Sequence, residues 1–188
     1  KVNPRLVYCS ITGFGQTGPY SPRAGYDFLI QAMGGLMSVT GEKEDMPGGG
    51  PQKIGVALSD ILTGLYTTIG ALSALAYRDK TGRGQHVDMA LLDVTIASTA
   101  NQAMNYLSTG EAPGRIGNFH PNLTPYQVFD CADGYLIIAV GNDGQYRRFC
   151  DLLGVAELGQ HPDYASNAGR GENRTALSAL LTEKTAQM

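Results

Sequence analysis

The sequence predicts an α/β protein. Two short apolar runs that are typical of buried strands, 6–11 and 85–91, flank the strongest helical pattern, 58–78. An alternation of strands and helices favours an α/β sheet. The chain has 188 residues, of which 43% are hydrophobic, so it can bury a core and form one large or two small domains.

The elements before the long helix follow from local signals. The predicted strand 6–11 ends at a Gly-Phe-Gly turn, and Pro-containing turns mark a loop over 16–25. A helix is predicted over 26–39, although two adjacent glycines weaken it. The segment 40–55 is rich in Gly, Pro and charge, which predicts a surface loop.

The helix predicted over 58–78 has both an apolar and a small-residue pattern. Gly64, Ala71 and Ala74 offer a small surface for close packing, and Gly82 predicts the end of the helix. Since the stretch contains an aspartate and several hydroxyl side chains, we predict a buried helix rather than a membrane span. The apolar positions with helical spacing are Ile61, Leu65, Ile69, Leu72 and Ala76.

A change of composition marks a domain boundary after the next two elements. A strand is predicted over 85–91 and a second helix over 93–107. The segment 108–125 has the composition of a loop, so we interpret it as a linker. The predicted domains are therefore 1–107 and 126–188.

The second domain begins with a hairpin signal. An Asp-Gly pair separates two β-rich runs, 126–131 and 135–140, and this pairing favours a tight turn between antiparallel strands. An amphipathic helix is predicted over 145–153 and a further helix over 172–186.

Charge and cysteine content exclude several classes of function. The net charge of −3 provides no basic excess for nucleic acid or an anionic membrane surface. Cys9, Cys131 and Cys150 are too few and too far apart for a disulfide framework, so reduced thiols are expected. The sequence has neither a nucleotide-binding glycine fingerprint nor a histidine at metal-ligand spacing.

The two ends of the chain predict that it is part of a longer protein. Lys1 leads at once into a predicted strand, with no initiator Met and no earlier element. The segment 175–188 has a helical pattern without a stop signal.

Asp60, which opens the long helix, has two interpretations. An aspartate at a helix start commonly caps free N–H groups and interacts with the positive end of the helix dipole. The same position keeps a carboxylate ionised within an apolar run, where it could attack an activated carbonyl. Spacing alone leaves both interpretations open.

Three other residues have side chains that can take part in catalysis or binding. His120 lies in the predicted linker and could contact a substrate, whereas His86 lies among alternating strand residues and is predicted to be solvated. Cys9 lies in a strand-like run, which favours a buried thiol over a nucleophile.

A series of motifs resembles the central part of the family III coenzyme A transferases. They occur in the family's order and extend over nearly the whole chain. The motifs are NPRLVY at 3–8, GFGQTGPY at 13–20, RAGYD at 23–27, QAMGGLMSVTG at 31–41, GVALSDILTGLY at 55–66 and KTGRGQ at 80–85.

The resemblance implies a fold, an assembly and a set of substrates. It implies that 1–107 is the later part of an open, Rossmann-like α/β large domain, and that 126–188 belongs to a smaller α+β domain. Two chains would interlock as a homodimer. Acyl-CoA and a small carboxylic acid would be the substrates, with no permanently bound cofactor and no metal. The reduced thiols expected from the cysteine content favour a cytoplasmic location, or the mitochondrial matrix in a eukaryote.

The resemblance also implies roles for residues near Asp60. Asp60 would be the nucleophile that forms an acyl-aspartyl anhydride and then an aspartyl-CoA thioester. Related racemases have a histidine where this chain has Tyr26, and tyrosine, with a pKa of about 10, is a poor base at neutral pH. A transferase is therefore favoured over an α-methylacyl-CoA racemase. Tyr26, with Ala24 and Gly25, would lie near the thioester end of CoA.

The predicted linker departs from the family's glycine-rich loop. Its segment 117–122 has fewer glycines, and Gly117, Asn118 and His120 would be the substrate contacts. The segment 122–128 resembles members that act on dicarboxylic acids. A noncatalytic fragment that lacks an upstream CoA site remains the third alternative, beside transferase and racemase.

Overall fold

A parallel pair of strands, β1 (Tyr8–Thr12) and β2 (His86–Ala90), organises the first part of the chain in a computed structural model that describes residues 3–188. The register pairs Tyr8 with His86 and Thr12 with Ala90. The helix α3 (Leu58–Thr81) lies between the two strands in sequence and packs on both. The α/β prediction is confirmed by this strand–helix–strand unit.

The helix α3 ends where the sequence predicted. Gly82 adopts a left-handed conformation with φ of 73°, and its N–H donates to the Arg78 carbonyl at 2.7 Å. A residue with a Cβ would be strained at this φ, which is why glycine is favoured at a helix C-terminus.

The prediction that α3 is a buried helix is wrong at its apolar positions in the described chain, although Ala74 of the predicted small surface is buried. Ile61, Leu65, Ile69 and Leu72 are 51%, 57%, 61% and 61% exposed, respectively. The buried side consists instead of Ser59, Thr63, Thr67 and Ala74.

Small hydroxyl residues can form this buried side because the helix itself satisfies them. Thr63 Oγ1 donates to the Ser59 carbonyl at 2.6 Å, and Thr67 Oγ1 donates to the Thr63 carbonyl at 2.7 Å. Their burial therefore leaves no hydroxyl without a partner. A Cβ on Gly70 would lie 2.9 Å from Val87 Cγ1, so the helix lies close against β2.

Within the residues that the structure describes, α3 is also the one helix whose length and composition would suffice to cross a membrane. Its buried side packs against β1, β2 and two neighbouring helices, α1 (Asp27–Met33) and α4 (Leu91–Ser98). The apolar residues on its other side are exposed in the described chain.

Both predicted helices that flank α3 are interrupted. The helix predicted over 26–39 divides into α1 and α2 (Leu36–Val39), because Gly35 has φ of 87°. The helix predicted over 93–107 divides into α4 and α5 (Ala100–Thr109) at Ala100, which has φ of 45°.

The chain divides into two compact units, residues 1–115 and 116–188. The assignment of 1–107 and 126–188 to a large and a small domain, joined by 108–125, stays a prediction.

The second unit is built on the predicted hairpin. Strands β3 (Tyr126–Cys131) and β4 (Gly134–Ala139) are antiparallel and pair Cys131 with Gly134 across a two-residue loop, which confirms the hairpin. The helices that follow are α6 (Asp143–Leu153), α7 (Asn167–Glu172) and α8 (Arg174–Thr185).

A fully buried arginine organises this unit. Arg170 donates to the Thr124 carbonyl at 2.6 Å, the Tyr164 carbonyl at 2.9 Å and Asp143 Oδ1 at 2.9 Å. Its guanidinium carbon also lies 4.4 Å from the centre of the Tyr146 ring. These contacts fix the loop that precedes β3 against the helices.

Candidate active site

The carboxyl end of β1 meets the segment that carries Tyr26. The backbones of Gly13 and Gly25 touch, because a Cβ on Gly13 would lie 2.5 Å from Gly25 Cα. In open parallel sheets, ligands bind outside the carboxyl ends of the strands. The segment 24–27 therefore lies at the edge of the sheet where a site is expected.

Asp60 lies in the first turn of α3 and its side chain is exposed. Its carboxylate accepts no hydrogen bond from any group among residues 3–188, and Ala57, at the N-cap position, cannot cap the helix through its side chain. Asp60 is thus a carboxylate at a helix N-terminus with its oxygens unoccupied.

The capping role that the sequence offered to Asp60 belongs to Asp27. Asp27 Oδ1 accepts a hydrogen bond from the Ser59 N–H at 2.9 Å, and Asp27 Oδ2 accepts one from Gln31 Nε2 at 2.8 Å. An acidic side chain from α1 therefore satisfies a free N–H at the start of α3, where the dipole favours negative charge.

Gln31 extends this network to the segment before α3. The side chain is fully buried, and its Oε1 accepts a hydrogen bond from the Ile54 N–H at 2.9 Å. Its Nε2 also donates to the Val56 carbonyl at 3.3 Å. The two ends of one amide thus hold the chain that leads into Asp60.

Ser59 is held from its other side as well. It is fully buried, and its Oγ accepts a hydrogen bond from Thr95 Oγ1 at 2.8 Å. Thr95 in turn packs against Gly34, where an added Cβ would lie 2.6 Å from Thr95 Cγ2. The residue before Asp60 is therefore fixed by both α1 and α4.

The Asp27–Ser59 hydrogen bond brings Tyr26 and Asp60 into one region. Tyr26 directly precedes one partner of this bond, and Asp60 directly follows the other. The Tyr26 side chain is 78% exposed, while Ala24 is exposed and Gly25 is half-buried. Of the predicted site residues, these four lie in the first unit.

The remaining predicted site residues lie in the second unit. Gly117 has φ of 62°, Asn118 is exposed, and His120 is half-buried. His120 Nδ1 accepts hydrogen bonds from the N–H groups of Asn122 and Leu123, at 3.0 and 3.1 Å. This nitrogen therefore stabilises the loop.

The protonation of His120 follows from its surroundings. Burial lowers the pKa of His120 below its usual range, and the positive charge of Arg174 lowers it further. The imidazole is thus neutral at pH 7, and because Nδ1 is an acceptor, its proton is on Nε2.

The Arg174 side chain contacts the loop that contains His120. Its Nε donates to Thr124 Oγ1 at 3.1 Å, and its Nη2 donates to the Pro121 carbonyl at 3.4 Å. The guanidinium carbon lies 5.7 Å from the centre of the Phe119 ring. The helical pattern over 172–186 contains no signal that would have identified this arginine as a neighbour of His120.

A model of CoA-transferase family III matches residues 1–188, the whole length of the chain. The chain belongs to CoA-transferase family III. This match confirms the family resemblance that the sequence motifs indicated.

Curated relatives of this family III chain are named CoA-transferases. The chain is 51% identical over 98% of its residues to the succinate–glutarate CoA-transferase of Agrobacterium fabrum, of which it covers 45%. It is 42% identical over 96% of its residues to the acetyl-CoA:oxalate CoA-transferase of Acetobacter aceti, of which it covers 46%. The chain thus spans about half the length of the curated relatives it matches.

A solved structure confirms the fold class of the family III chain. A CAIB/BAIF family protein from Brucella suis is 57% identical and superimposes with a TM-score of 0.77. This chain covers 48% of that protein, and 99% of this chain is matched.

Sequence reasoning missed the residues that hold Asp60 in place. Asp27 lies in the Gly-Tyr-Asp motif, but only its neighbour Tyr26 was considered. The (i, i+4) spacing of Asp27 and Gln31 was the available signal, since it places both side chains on one side of a helix.

Proposed function

We propose that the complete protein transfers coenzyme A from an acyl-CoA donor to a dicarboxylic acid, with Asp60 as the covalent nucleophile. The observation that carries the proposal is the exposed, unoccupied Asp60 carboxylate at a helix N-terminus that Asp27 already caps. Dicarboxylic acids are proposed as the substrate class because the names of the relatives contain succinate, glutarate and oxalate.

The first half of the reaction activates Asp60. An Asp60 carboxylate oxygen attacks the thioester carbonyl of the donor, the C–S bond breaks, and CoA leaves as the thiolate. The product is an acyl-aspartyl anhydride. The thiolate then attacks the Asp60 carbonyl of this anhydride, which releases the donor acid and leaves an aspartyl-CoA thioester.

The second half runs the same steps with the acceptor. The acceptor carboxylate attacks the aspartyl-CoA carbonyl and displaces the thiolate, which gives a second anhydride. The thiolate attacks the acceptor's carbonyl, so the acceptor becomes the new acyl-CoA and Asp60 is regenerated. Each step exchanges one activated acyl bond for another, and the cycle neither gains nor loses electrons.

Each attack creates an oxyanion that needs hydrogen-bond donors. The Asp60 N–H has no acceptor within residues 3–188 and lies in the first turn of α3. Free N–H groups at a helix N-terminus stabilise developing negative charge. We assign this N–H, together with the helix dipole, to the oxyanions.

Each unit carries residues that we propose as substrate contacts. In the first unit, the exposed Tyr26 ring, with the backbone of Ala24 and Gly25, would line the thioester end of CoA. In the second unit, Gly117 and Asn118 would be substrate contacts. The neutral His120 would donate from Nε2 to a carboxylate of the acid, a role that does not require protonation.

The assembly and location of the protein are part of the same proposal. We propose an interlocked homodimer in the cytoplasm, or in the mitochondrial matrix of a eukaryote, that binds neither nucleic acid nor membrane. Acyl-CoA is a substrate rather than a resident cofactor, and the covalent chemistry of Asp60 requires no metal.

An exchange assay on the complete polypeptide tests the proposal. Succinyl-CoA is incubated with isotope-labelled succinate, glutarate or oxalate, and label in the CoA ester is measured by mass spectrometry. We expect exchange with at least one diacid and none with D60A. If no acid exchanged while a branched acyl-CoA lost its α-proton to solvent, the protein would be a racemase.

A further inference from the structure

Asp27 and Gln31 form a directional chain of hydrogen bonds that ends beside Asp60. The Ile54 N–H donates to Gln31 Oε1, Gln31 Nε2 donates to Asp27 Oδ2, and Asp27 Oδ1 accepts from the Ser59 N–H. Because both neighbours donate to residue 27, its side chain must offer two acceptor atoms, as a carboxylate does.

We propose that Asp27 is a positioning residue for the reaction: together with Gln31 it holds the first turn of α3, so that the Asp60 carboxylate faces the thioester beside Tyr26. The inference rests on the proposed function of Asp60. Asp27 acts through Ser59 and contacts neither the substrate nor the reacting atoms.

The network is held in place by burial on both sides of Asp27, which is itself half-buried. Gln31 and Ser59 are both fully buried, so water cannot replace a lost hydrogen bond. Ser59 is also held by Thr95 Oγ1 at 2.8 Å. Buried networks in which every group is satisfied specify one geometry, whereas a single wrong donor destabilises the whole arrangement.

This rigidity matters because attack on a thioester depends on distance and angle. Asp60 is adjacent to Ser59, and Tyr26 is adjacent to Asp27, so the 2.9 Å hydrogen bond between Ser59 and Asp27 links the segments that carry them. A misplacement of a reacting group by about 1 Å can cost about 100-fold in rate. The cap thus leaves the Asp60 oxygens free while it fixes their position.

The direction of the network provides a specific test. In D27N, the side-chain oxygen can still accept from the Ser59 N–H, but the amide nitrogen then faces Gln31 Nε2, so two donors oppose each other. Rotation of the Gln31 amide would relieve this contact, but it would place the amide nitrogen against the Ile54 N–H. D27N therefore breaks the network in either orientation.

The double variant D27N/Q31E restores the direction. The amide nitrogen at position 27 can donate to a carboxylate at position 31, whose other oxygen accepts from the Ile54 N–H. The total charge is that of the wild type. The hydrogen bond to the Val56 carbonyl, 3.3 Å in the wild type, is lost, and a carboxylate oxygen faces that carbonyl instead. We therefore expect a partial rescue.

The experiment measures kcat and KM for CoA transfer by the complete polypeptide in the wild type, D27N, Q31E and D27N/Q31E. We expect D27N to lower kcat by about 100-fold with little change in KM, and the double variant to recover about 10-fold of this loss. Q31E alone places two carboxylates together and should lose activity. Asn142→Ala, which removes the side-chain cap of α6 in the second unit, is the matched control and should keep its kcat.

Three results would overturn the proposal. The first is a kcat for D27N within about twofold of wild type while D60A is inactive, which would leave the proposed function intact. The second is a D27N/Q31E variant that folds but is no more active than D27N. The third is unfolding of both D27N and D27N/Q31E, which would make Asp27 purely structural. An active D60A would instead contradict the proposed function, whatever D27N does.

Discussion

The backbones of Gly13 and Gly25 are in contact at the carboxyl end of β1. A Cβ on Gly13 would lie 2.5 Å from Gly25 Cα, and a Cβ on Gly25 would lie 2.7 Å from Gly13 Cα. Since Tyr26 and Asp27 follow Gly25 directly, this contact places both of them against the end of the strand. This close approach therefore requires glycine at both positions.

Gly13→Ala should destabilise the protein, because the clash is with backbone atoms that cannot rotate away. Overpacking of this kind costs about 1–3 kcal/mol in the free energy of unfolding, which urea denaturation measures. Gly64→Ala is the control: its Cβ would meet no atom within 4 Å in the described chain, and it lies within α3. We expect it to stabilise the protein by up to about 1 kcal/mol. Equal effects of the two substitutions would contradict this account.

Asp60→Ala should separate activity from stability. We expect CoA exchange to fall by more than about 10³-fold, because the nucleophile is lost. Unfolding should change by less than about 0.5 kcal/mol, because Asp60 has no hydrogen-bond partner among residues 3–188. Asp151→Ala, at an exposed aspartate of α6, should leave both quantities unchanged. A large loss of stability in D60A would mean that the carboxylate is a structural cap after all.

The pKa of His120 predicts a pH dependence of stability. Burial and Arg174 lower this pKa below the ordinary value of about 6.5, so the folded chain binds a proton only at lower pH than the unfolded chain does. The contribution of His120 is therefore fully favourable above about pH 6.5 and is lost as the pH falls from there towards the lowered pKa. NMR titration of the ring should give this lowered value directly.

His120→Asn is the matched variant for that pH dependence. A side-chain oxygen at this position can still accept from the N–H two residues later, so the loop is preserved without a titrating group. The unfolding free energy of H120N should lack the decrease below about pH 6.5. The same decrease in H120N would assign it to another residue.

Arg170→Met should strongly destabilise the second unit. The change leaves the carbonyls of Thr124 and Tyr164 and the Asp143 carboxylate without their partner. A buried carbonyl that loses its donor costs about 1–3 kcal/mol, and two are left here, whereas the Asp143 side chain is 45% exposed and can be solvated. Arg148→Met, at an exposed arginine of α6, should change the unfolding free energy by less than about 0.5 kcal/mol. Thermal unfolding of both variants measures the difference.

Local signals in the sequence predicted most of the elements. The Asp-Gly turn predicted the β3–β4 hairpin, and Gly82 predicted the end of α3. These features depend on backbone conformations that few residues adopt, so a single residue type is informative. The break at Ala100 has no such signal, because a positive φ at alanine is set by the surrounding structure.

Packing partners were harder to predict than elements. The sequence predicted a buried α3 with a small-residue surface for close packing. Ala74 of that surface is buried, but hydroxyl residues form the rest of the buried side, and the apolar positions are exposed in the described chain. Periodicity identifies an apolar surface, but not which segment covers it. The capping of α3 by Asp27 was missed for the same reason, since the two residues in that hydrogen bond are 32 positions apart.

The central claim is that Asp60 forms covalent bonds to both acids, and isotope transfer tests it most directly. The complete polypeptide turns over succinyl-CoA with an acid whose carboxylate oxygens are ¹⁸O, and the peptide that contains Asp60 is analysed by mass spectrometry. Collapse of the second anhydride leaves one oxygen of the acid on the Asp60 carboxylate, so this peptide should gain one ¹⁸O in a single turnover and up to two over repeated turnovers. Efficient CoA transfer with no ¹⁸O in that peptide would contradict the anhydride mechanism.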